Sequence, residues 1–494
     1  MKRWIIPLFI VISVVVIMVA FPKPAETPAP AGGAIQLLAV TENETQTGLL
    51  AYPVDPVTLA NLPGYAPISF GHHYAYVVSR DRQTLAVIAW PSGSSNLRGT
   101  LHLIDLNTWS ETVEELRLDN SVSDLAFDAG GKALYWMTPA PRYDVPAFEL
   151  RRYDLERHEL SVIAEFPASF APWQSHRLSS GELAIFGVPI DSNYFTTDAA
   201  HVLFVDPAAN NIAADVRLEG IKAGQYCEQA EPLSGSSKYT RCISYFPGLA
   251  WDTRHGFLYA AHADEDEITV VDLITGSVTK QSIGSHASLE AISGVPESAV
   301  VHESRLGFDE RAVLSDDGER LYLFSQATEG GGLKTASLQV VATGGMFSLG
   351  PLDELLSNFP GVSSGMRQVV QLDGLLTDFA LTPDEQSILV AKGEIASPFG
   401  FEMSVTADIY VLDAETLEER AHLVVPQANQ LQFDGFSPDG RYAYVRGSSA
   451  QWVEGSGWRG TRGTVWYVID LNSDTLVSTV EIKGGYADLL QMVP

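Results

Sequence analysis

The chain is 494 residues long, 46% hydrophobic and 10% aromatic, which supports a large core and excludes global disorder. It carries 31 Lys plus Arg against 61 Asp plus Glu, a formal charge of −30. That field repels a duplex or an anionic surface, so no nucleic-acid partner is expected, and the charge itself favours solubility.

At the N-terminus Lys2-Arg3 precedes an uncharged apolar run from Trp4 to Phe21. As a helix this run spans about 27 Å, close to the hydrocarbon thickness of a bilayer. The positive pair before it predicts a cytoplasmic N-terminus and export of the rest of the chain. Residues 1–21 are therefore expected to be a transmembrane signal anchor, through which the chain contacts the membrane. The alternative is secretion after cleavage, for which Ala29-Pro30-Ala31 offers a small-x-small site far from the run. Residues 22–33 (PKPAETPAPAGG) form a Pro/Ala/Gly linker, and residues 34–494 form one extracytoplasmic domain.

Within that domain a short apolar strand ending in Asp and a polar turn recurs at Asp55, Asp105, Asp154, Asp206, Asp272, Asp413 and Asp470. An eighth copy, LQVVATGGM, has Ala342 in place of the Asp; successive spacings are 50, 49, 52, 66, 70, 71 and 57 residues. A base period near 50 with insertions marks a repeat array. Copies are preceded by hairpins with tight turns, such as FSPDGRYAYV (436–445) and LAFDAGGKALYW, whose flanks alternate with period two. Each unit thus predicts four antiparallel strands, a to d, the blade of a β-propeller. The fold class expected is all-β, a propeller of about eight blades, preceded by the N-terminal transmembrane helix. Seven blades is the alternative, if the weak unit at 173–217 is irregular. The N-terminal copy lacks strand a, and YADLLQMVP at the C-terminus can supply it by pairing with residues 35–41 and closing the ring.

Cys227 and Cys242 are the only cysteines and predict one loop-stapling disulfide in an oxidising compartment. The a–b and c–d turns read as short, and every long insertion is assigned to a b–c or d–a connection, including 189–199, 220–245, 350–374, 393–406 and 447–462. Loops gathered on one face are where binding is expected. The 447–462 loop (GSSAQWVEGSGWRGTR) offers Trp452, Trp458, Arg459 and Arg462, residue types that dominate binding hot spots and can stack on sugars. Aligned strands a place Asp124, Ser175, Arg311 and Asp378 at similar heights near the upper channel mouth. They form either a polar small-molecule site or a stabilising charge network. The repeated Asp residues lie one per blade, too far apart to share a ligand, and are expected to close their turns. Asp264 and Asp266, in the acidic run after His262, could hold a Ca²⁺ through carboxylate oxygens; charge runs of this kind are usually solvated. No other metal or cofactor is expected, and no nucleophile elbow or phosphate loop occurs.

The segments SPDGRYAYV with VWYVIDLNSDTLVSTVEI, and FLYAAHADEDEITVVDLITGSVTKQSI, are similar to the YVTN-type, WD-like repeats of bacterial surface-layer and related propellers. The resemblance runs from Ile35 to the C-terminus. Members of such families include surface proteins, lactonase-like enzymes and dehydrogenase subunits, so it implies architecture more than one activity. The expected function is a non-catalytic scaffold that binds an envelope protein or polysaccharide through its loop face. The alternatives are a lactonase- or dehydrogenase-like enzyme with a site at the channel mouth, and a subunit of a membrane-bound complex.

Overall fold

The computed structural model describes residues 35–492, apart from 44–47, 91–97, 119–120, 141–145, 230–238, 266, 284–304, 330–331, 344–366, 372–374, 396–402, 426–427, 429, 454–456 and 484–486. The chain begins with β1 (Leu37–Glu42), β2 (Leu49–Pro53) and β3 (Ile68–Phe70). Blade 2 is β4 (His73–Val78), β5 (Thr84–Trp90), β6 (Arg98–Asp105) and β7 (Ser110–Arg117). Blade 3 is β8 (Ser123–Phe127), β9 (Ala133–Pro139), β10 (Phe148–Asp154) and β11 (Glu159–Glu165). Blade 4 is β12 (Phe170–Arg177), β13 (Leu183–Pro189), β14 (His201–Asp206) and β15 (Asn211–Arg217). A hairpin, β16 (Gly224–Gln229) and β17 (Tyr239–Phe246), leads into blade 5, made of β18 (Gly248–Asp252), β19 (Phe257–Ala261), β20 (Glu267–Asp272) and β21 (Val278–Ser282). Blade 6 is β22 (Arg305–Leu314), β23 (Arg320–Glu329), β24 (Gly332–Ala342) and β25 (Arg367–Gln371). Blade 7 is β26 (Leu375–Leu381), β27 (Ser387–Ile395), β28 (Met403–Asp413) and β29 (Glu419–Val425). Blade 8 is β30 (Gln430–Phe436), β31 (Tyr442–Val453), β32 (Gly457–Asp470) and β33 (Thr475–Lys483), and the last strand is β34 (Ala487–Gln491).

β34 pairs antiparallel with β1, from Leu37 opposite Gln491 to Thr41 opposite Ala487, so blade 1 is assembled from both chain ends in the order β3-β2-β1-β34. The ring closes as the sequence predicts, with eight blades. The unit at 173–217 is a regular four-stranded sheet.

Strands b of the blades, such as Leu85 to Ala89 and Ala133 to Met137, are buried on both sides because each blade packs between two others. Outer strands such as β7 are mostly exposed and carry charge. Packing between blades is therefore the core.

Turn chemistry repeats as well. Asp55, Asp105, Asp154, Asp206, Asp272 and Asp413 each accept the backbone N–H groups two and three residues on, for example Thr416 N to Asp413 Oδ1 at 2.8 Å. The backbone N–H of Thr58, Thr108 or Thr416 holds the carboxyl of Asp55, Asp105 or Asp413 below its ordinary range. These aspartates close their turns, as the sequence predicts. Ala342 ends β24, and the c–d connection of that blade spans 343–366.

Three expectations need correction. First, the described residues contain no α-helix, and no helix long and apolar enough to cross a membrane; the expected transmembrane segment, residues 1–21, lies outside the described residues. Second, the 350–374 insertion belongs largely to the c–d connection of blade 6, because β25 pairs with β24 as strand d. Residues 54–67 of blade 1 also form a c–d excursion, so the face of the short turns is not flat. Third, the 447–462 segment is not an irregular loop. β31 and β32 stay paired up to Val453 opposite Gly457, which makes it a projecting ribbon.

Truncation before Ala487 should destabilise the whole domain, since Ala487, Leu489, Leu490 and Met492 are buried and each large side chain contributes about 2 kcal/mol. Thermal denaturation checks this, and an unchanged midpoint would refute closure. Asp413→Ala should cost about 1 kcal/mol. Because the folded-state pKa is lowered, the stabilisation it removes is present above the ordinary carboxylate pKa and fades as the pH falls. Urea titrations at about pH 7 and pH 3 should show the deficit shrinking in acid.

Candidate functional site

The inner strands surround a channel whose wall divides into two chemical sectors. On one side, β26, β30, β34 and β8 bring Asp378, Asp434, Asp488 and Asp124 to the wall. Asp124 accepts a short hydrogen bond from the Ser175 backbone of the next blade. Asp378 likewise accepts the Phe433 N–H of the next blade at 2.8 Å and a 2.9 Å bond from Arg311. Arg446, from the second strand of blade 8, pairs closely with Asp488 and lies 3.4 Å from Asp434, while Tyr74 donates to Asp488 at 2.7 Å. Asp124, Asp378 and Asp488 thus bond across blade seams.

These groups also stay electrostatically loaded. Enclosure raises the Asp124 and Asp378 carboxyls even against their hydrogen bonds. Asp434 is pushed up to about 7, first by burial and then by the Asp488 and Asp378 charges, with Arg446 opposing. Its buried Oδ2 has no hydrogen-bond partner. Enclosure, with the Asp488 and Asp434 charges, raises the Tyr76 phenol. A cleft of about 400 Å³ opens here between Tyr74, Tyr76, Ser123, Asp124 and Asp488. Asp124 stands at a bulge in β8 with a left-handed φ of 55°, a conformation that costs energy and collects at functional positions.

The opposite sector is aromatic. Trp173 and Phe246 are 36% and 48% exposed, with ring centroids 6.1 Å apart. Below them His176 stacks on Trp251 at 5.4 Å, and Trp251 Nε1 donates to Gln174 across a blade seam at 3.0 Å. β17 runs parallel to the upper half of β22, Cys242 opposite Arg305 through Phe246 opposite Asp309, which brings Phe246 to the mouth. The β16–β17 hairpin is held by the Cys227–Cys242 disulfide, as expected, with Cα atoms 4.2 Å apart.

Of the four aligned residues, the structure joins Asp124 to Ser175 and Arg311 to Asp378, two separate pairs. The sequence pattern did not single out Asp434, Asp488, Arg446, Trp173 or Phe246. A bulge between Phe433 and Gly435 shifts Asp434 out of the hairpin alignment, and Asp488 belongs to the strand contributed from the far end. Trp452 is opposite Trp458 and Gln451 opposite Arg459 in the blade 8 ribbon, with Arg462 further down β32; their side chains lie outside the described residues. Asp264 is bound by Lys222 at 2.5 Å, and Asp266 lies outside the described residues. His262 is fully buried, and burial with the nearby Lys280 charge holds it below the ordinary imidazole range.

A larger cleft of about 770 Å³ lies on the opposite face between blades 2 and 3. Its carboxylates, Asp81, Asp105 and Asp128, are already engaged by their own turns.

No protein-family model matches the chain, and no curated protein resembles it in sequence. Solved structures do resemble it. A dihydro-heme d1 dehydrogenase, NirN, in complex with DHE aligns over 96% of this chain and 78% of its own, at TM-score 0.50 and 14% identity. The shared property is the propeller fold. An oligogalacturonate lyase from Vibrio parahaemolyticus (TM-score 0.40, 13% identity, 85% of this chain and 95% of that one) and hydrazine synthase from Kuenenia stuttgartiensis (0.36, 12%, 94% and 99%) are more distant.

The raised Asp434 pKa makes a signed prediction. A folded-state carboxyl raised from 3.8 to about 7 binds a proton that the unfolded chain has lost, so its contribution to stability declines as the pH rises from about 4 through 7. Asp434→Asn should therefore be relatively most stabilised at about pH 8 and should flatten the melting temperature between about pH 5 and pH 8. A parallel pH dependence in wild type and variant would contradict the assignment.

Proposed function

We propose that the chain is an extracytoplasmic recognition propeller that binds a neutral or amino-sugar polysaccharide of the envelope at the upper channel mouth. The carrying observation is that the channel wall offers both kinds of group, the exposed rings Trp173 and Phe246 in one sector and, in the other, a cleft lined by Tyr76 with the inner-strand acids Asp124 and Asp488. Aromatic faces stack on the apolar faces of sugar rings, and carboxylates accept hydroxyl and ammonium protons. The −30 charge disfavours acidic glycans and attracts cationic ones. The disulfide fits an oxidising compartment, and the likeness of the repeats to YVTN-type surface propellers agrees with an envelope role.

The paired ribbons of blades 6, 7 and 8 supply a raised rim on one side of the mouth. Strands of 12 and 14 residues in blade 8 compare with 7 in β5. Trp452, Trp458, Arg459 and Arg462 on this rim extend the contact to a longer polymer or an envelope protein. One observation favours a second, enzymatic reading: a carboxyl titrating near 7, Asp434, is suited to proton transfer at neutral pH.

Chitosan oligosaccharides and neutral β-glucan fragments, titrated calorimetrically, test the proposal. Phe246→Ala and Asp488→Asn should each weaken binding tenfold or more, about 1.4 kcal/mol, and Trp458→Ala with Arg459→Ala should weaken only the longer ligands. Asp317→Lys, in an a–b turn of the opposite face, should leave binding intact. Binding insensitive to the mouth variants refutes the site, and turnover lost in Asp434→Asn favours the enzyme.

A further inference from the structure

A second polar cluster lies on the b–c connection of blade 5, away from the channel acids. His262, Glu265 and Glu267 place one ligand atom each within 4.8 Å of one another. His262 is 0% exposed, and its Nε2 meets the Thr269 hydroxyl at 2.8 Å. Its buried Nδ1 has no hydrogen-bond partner and faces Glu265 Oε2 at 3.5 Å, too far and poorly aligned for a hydrogen bond. In the tautomer whose Nε2–H donates to Thr269, Nδ1 turns a bare lone pair toward the carboxylates of Glu265 and Glu267. An orphaned buried nitrogen beside converging anions lacks a proton or a cation.

We propose that His262 Nδ1, Glu265 and Glu267 bind one divalent transition-metal ion, of which Zn²⁺ is the best fit. One imidazole and two carboxylates match zinc and disfavour Ca²⁺, which prefers oxygen donors alone. Thr269 acts as the outer partner that fixes the ring and its tautomer, as carbonyls and carboxylates do in other histidine sites. The backbone is shaped for it: Glu267 N–H bonds to the Glu265 carbonyl at 2.8 Å, and His262 N–H to the Glu267 carbonyl at 3.0 Å, folding the connection into a tight loop. Gly220 approaches from the preceding connection, where a Cβ would fall 2.7 Å from Lys280 Nζ and 3.6 Å from the His262 ring.

Lys280 is the competitor. Its ammonium lies 3.4 Å from Glu267 Oε2, and with a partly exposed side chain it can swing into solvent when the ion enters. Lys222 is already committed to Asp264 at 2.5 Å. Three protein donors leave a coordination position open, and the partly exposed side chains of Glu265 and Glu267 keep the cluster reachable from solvent.

The test uses the full chain stripped with chelator, then titrated with Zn²⁺, Mn²⁺ and Ca²⁺ by calorimetry, with metal content measured after dialysis. One equivalent of Zn²⁺ is expected, bound at least tenfold more tightly than Ca²⁺. Glu265→Gln and Glu267→Gln, both surface changes that should fold normally, should each weaken Zn²⁺ tenfold or more, and Lys280→Met should tighten it several-fold. In ¹⁵N-histidine spectra the Nδ1 resonance of His262 should move to the metal-bound range on adding Zn²⁺. Absence of stoichiometric binding, binding that survives both Gln substitutions together, or a His262 Nδ1 resonance that does not move in excess Zn²⁺ would each overturn the site.

Discussion

Everything in this molecule depends on one pairing, β34 with β1. A ring of sheets packed face to face buries both sides of its inner strands only if the last blade meets the first; left open, it would expose two apolar flanks and an unpaired edge. The five register positions from Leu37–Gln491 to Thr41–Ala487 prevent this, and they join residues more than four hundred positions apart. Closure also completes the acidic sector of the channel, because Asp488 rides on the closing strand and is held by Arg446 of blade 8 and Tyr74 of blade 2. The contact that seals the ring and the contact that furnishes the mouth belong to the same five-residue strand.

The channel acids have two roles that need not compete. By accepting backbone N–H groups from the adjoining blade, Asp124 and Asp378 link seams that side-chain packing alone would hold less specifically. Each carboxylate has more lone pairs than these bonds consume, and the cleft between Tyr76, Asp124 and Asp488 leaves some of them facing solvent. Asp434 differs. Its partnerless buried oxygen and its titration near neutrality mark a group held in an unfavourable place by the surrounding structure. Such groups are where binding or proton transfer is concentrated.

The two faces are built by different rules. On one, Ser or Thr two residues before Asp closes the a–b hairpins, as Ser79 with Asp81, Ser315 with Asp317, Thr382 with Asp384 and Ser437 with Asp439, and the repeated Asp closes the c–d turns. On the other, antiparallel ribbons project from three consecutive blades, and a disulfide hairpin joins the inner strand of blade 6. Ribbons keep their backbone groups paired, so they can project without leaving donors and acceptors unsatisfied.

Periodicity in the sequence determined the class of fold, the blade count, the closing strand and the disulfide, because each rests on local chemistry: alternating strands, Asp-capped turns, two cysteines in register. Even one exception was written there, since Ala342 stands in place of Asp where the c–d connection of blade 6 lengthens to 343–366. Tertiary structure alone decided where the acids meet. A β-bulge moves Asp434 by one position, Arg446 reaches the channel from a second strand, and Phe246 arrives on a hairpin that precedes blade 5 yet pairs with blade 6. Nor could the run after His262 disclose which of its acids converge, because that depends on a buried ring turned by Thr269, seven residues later. Contacts across blade seams join residues dozens to hundreds of positions apart, and no local pattern encodes the angle at which one blade meets the next.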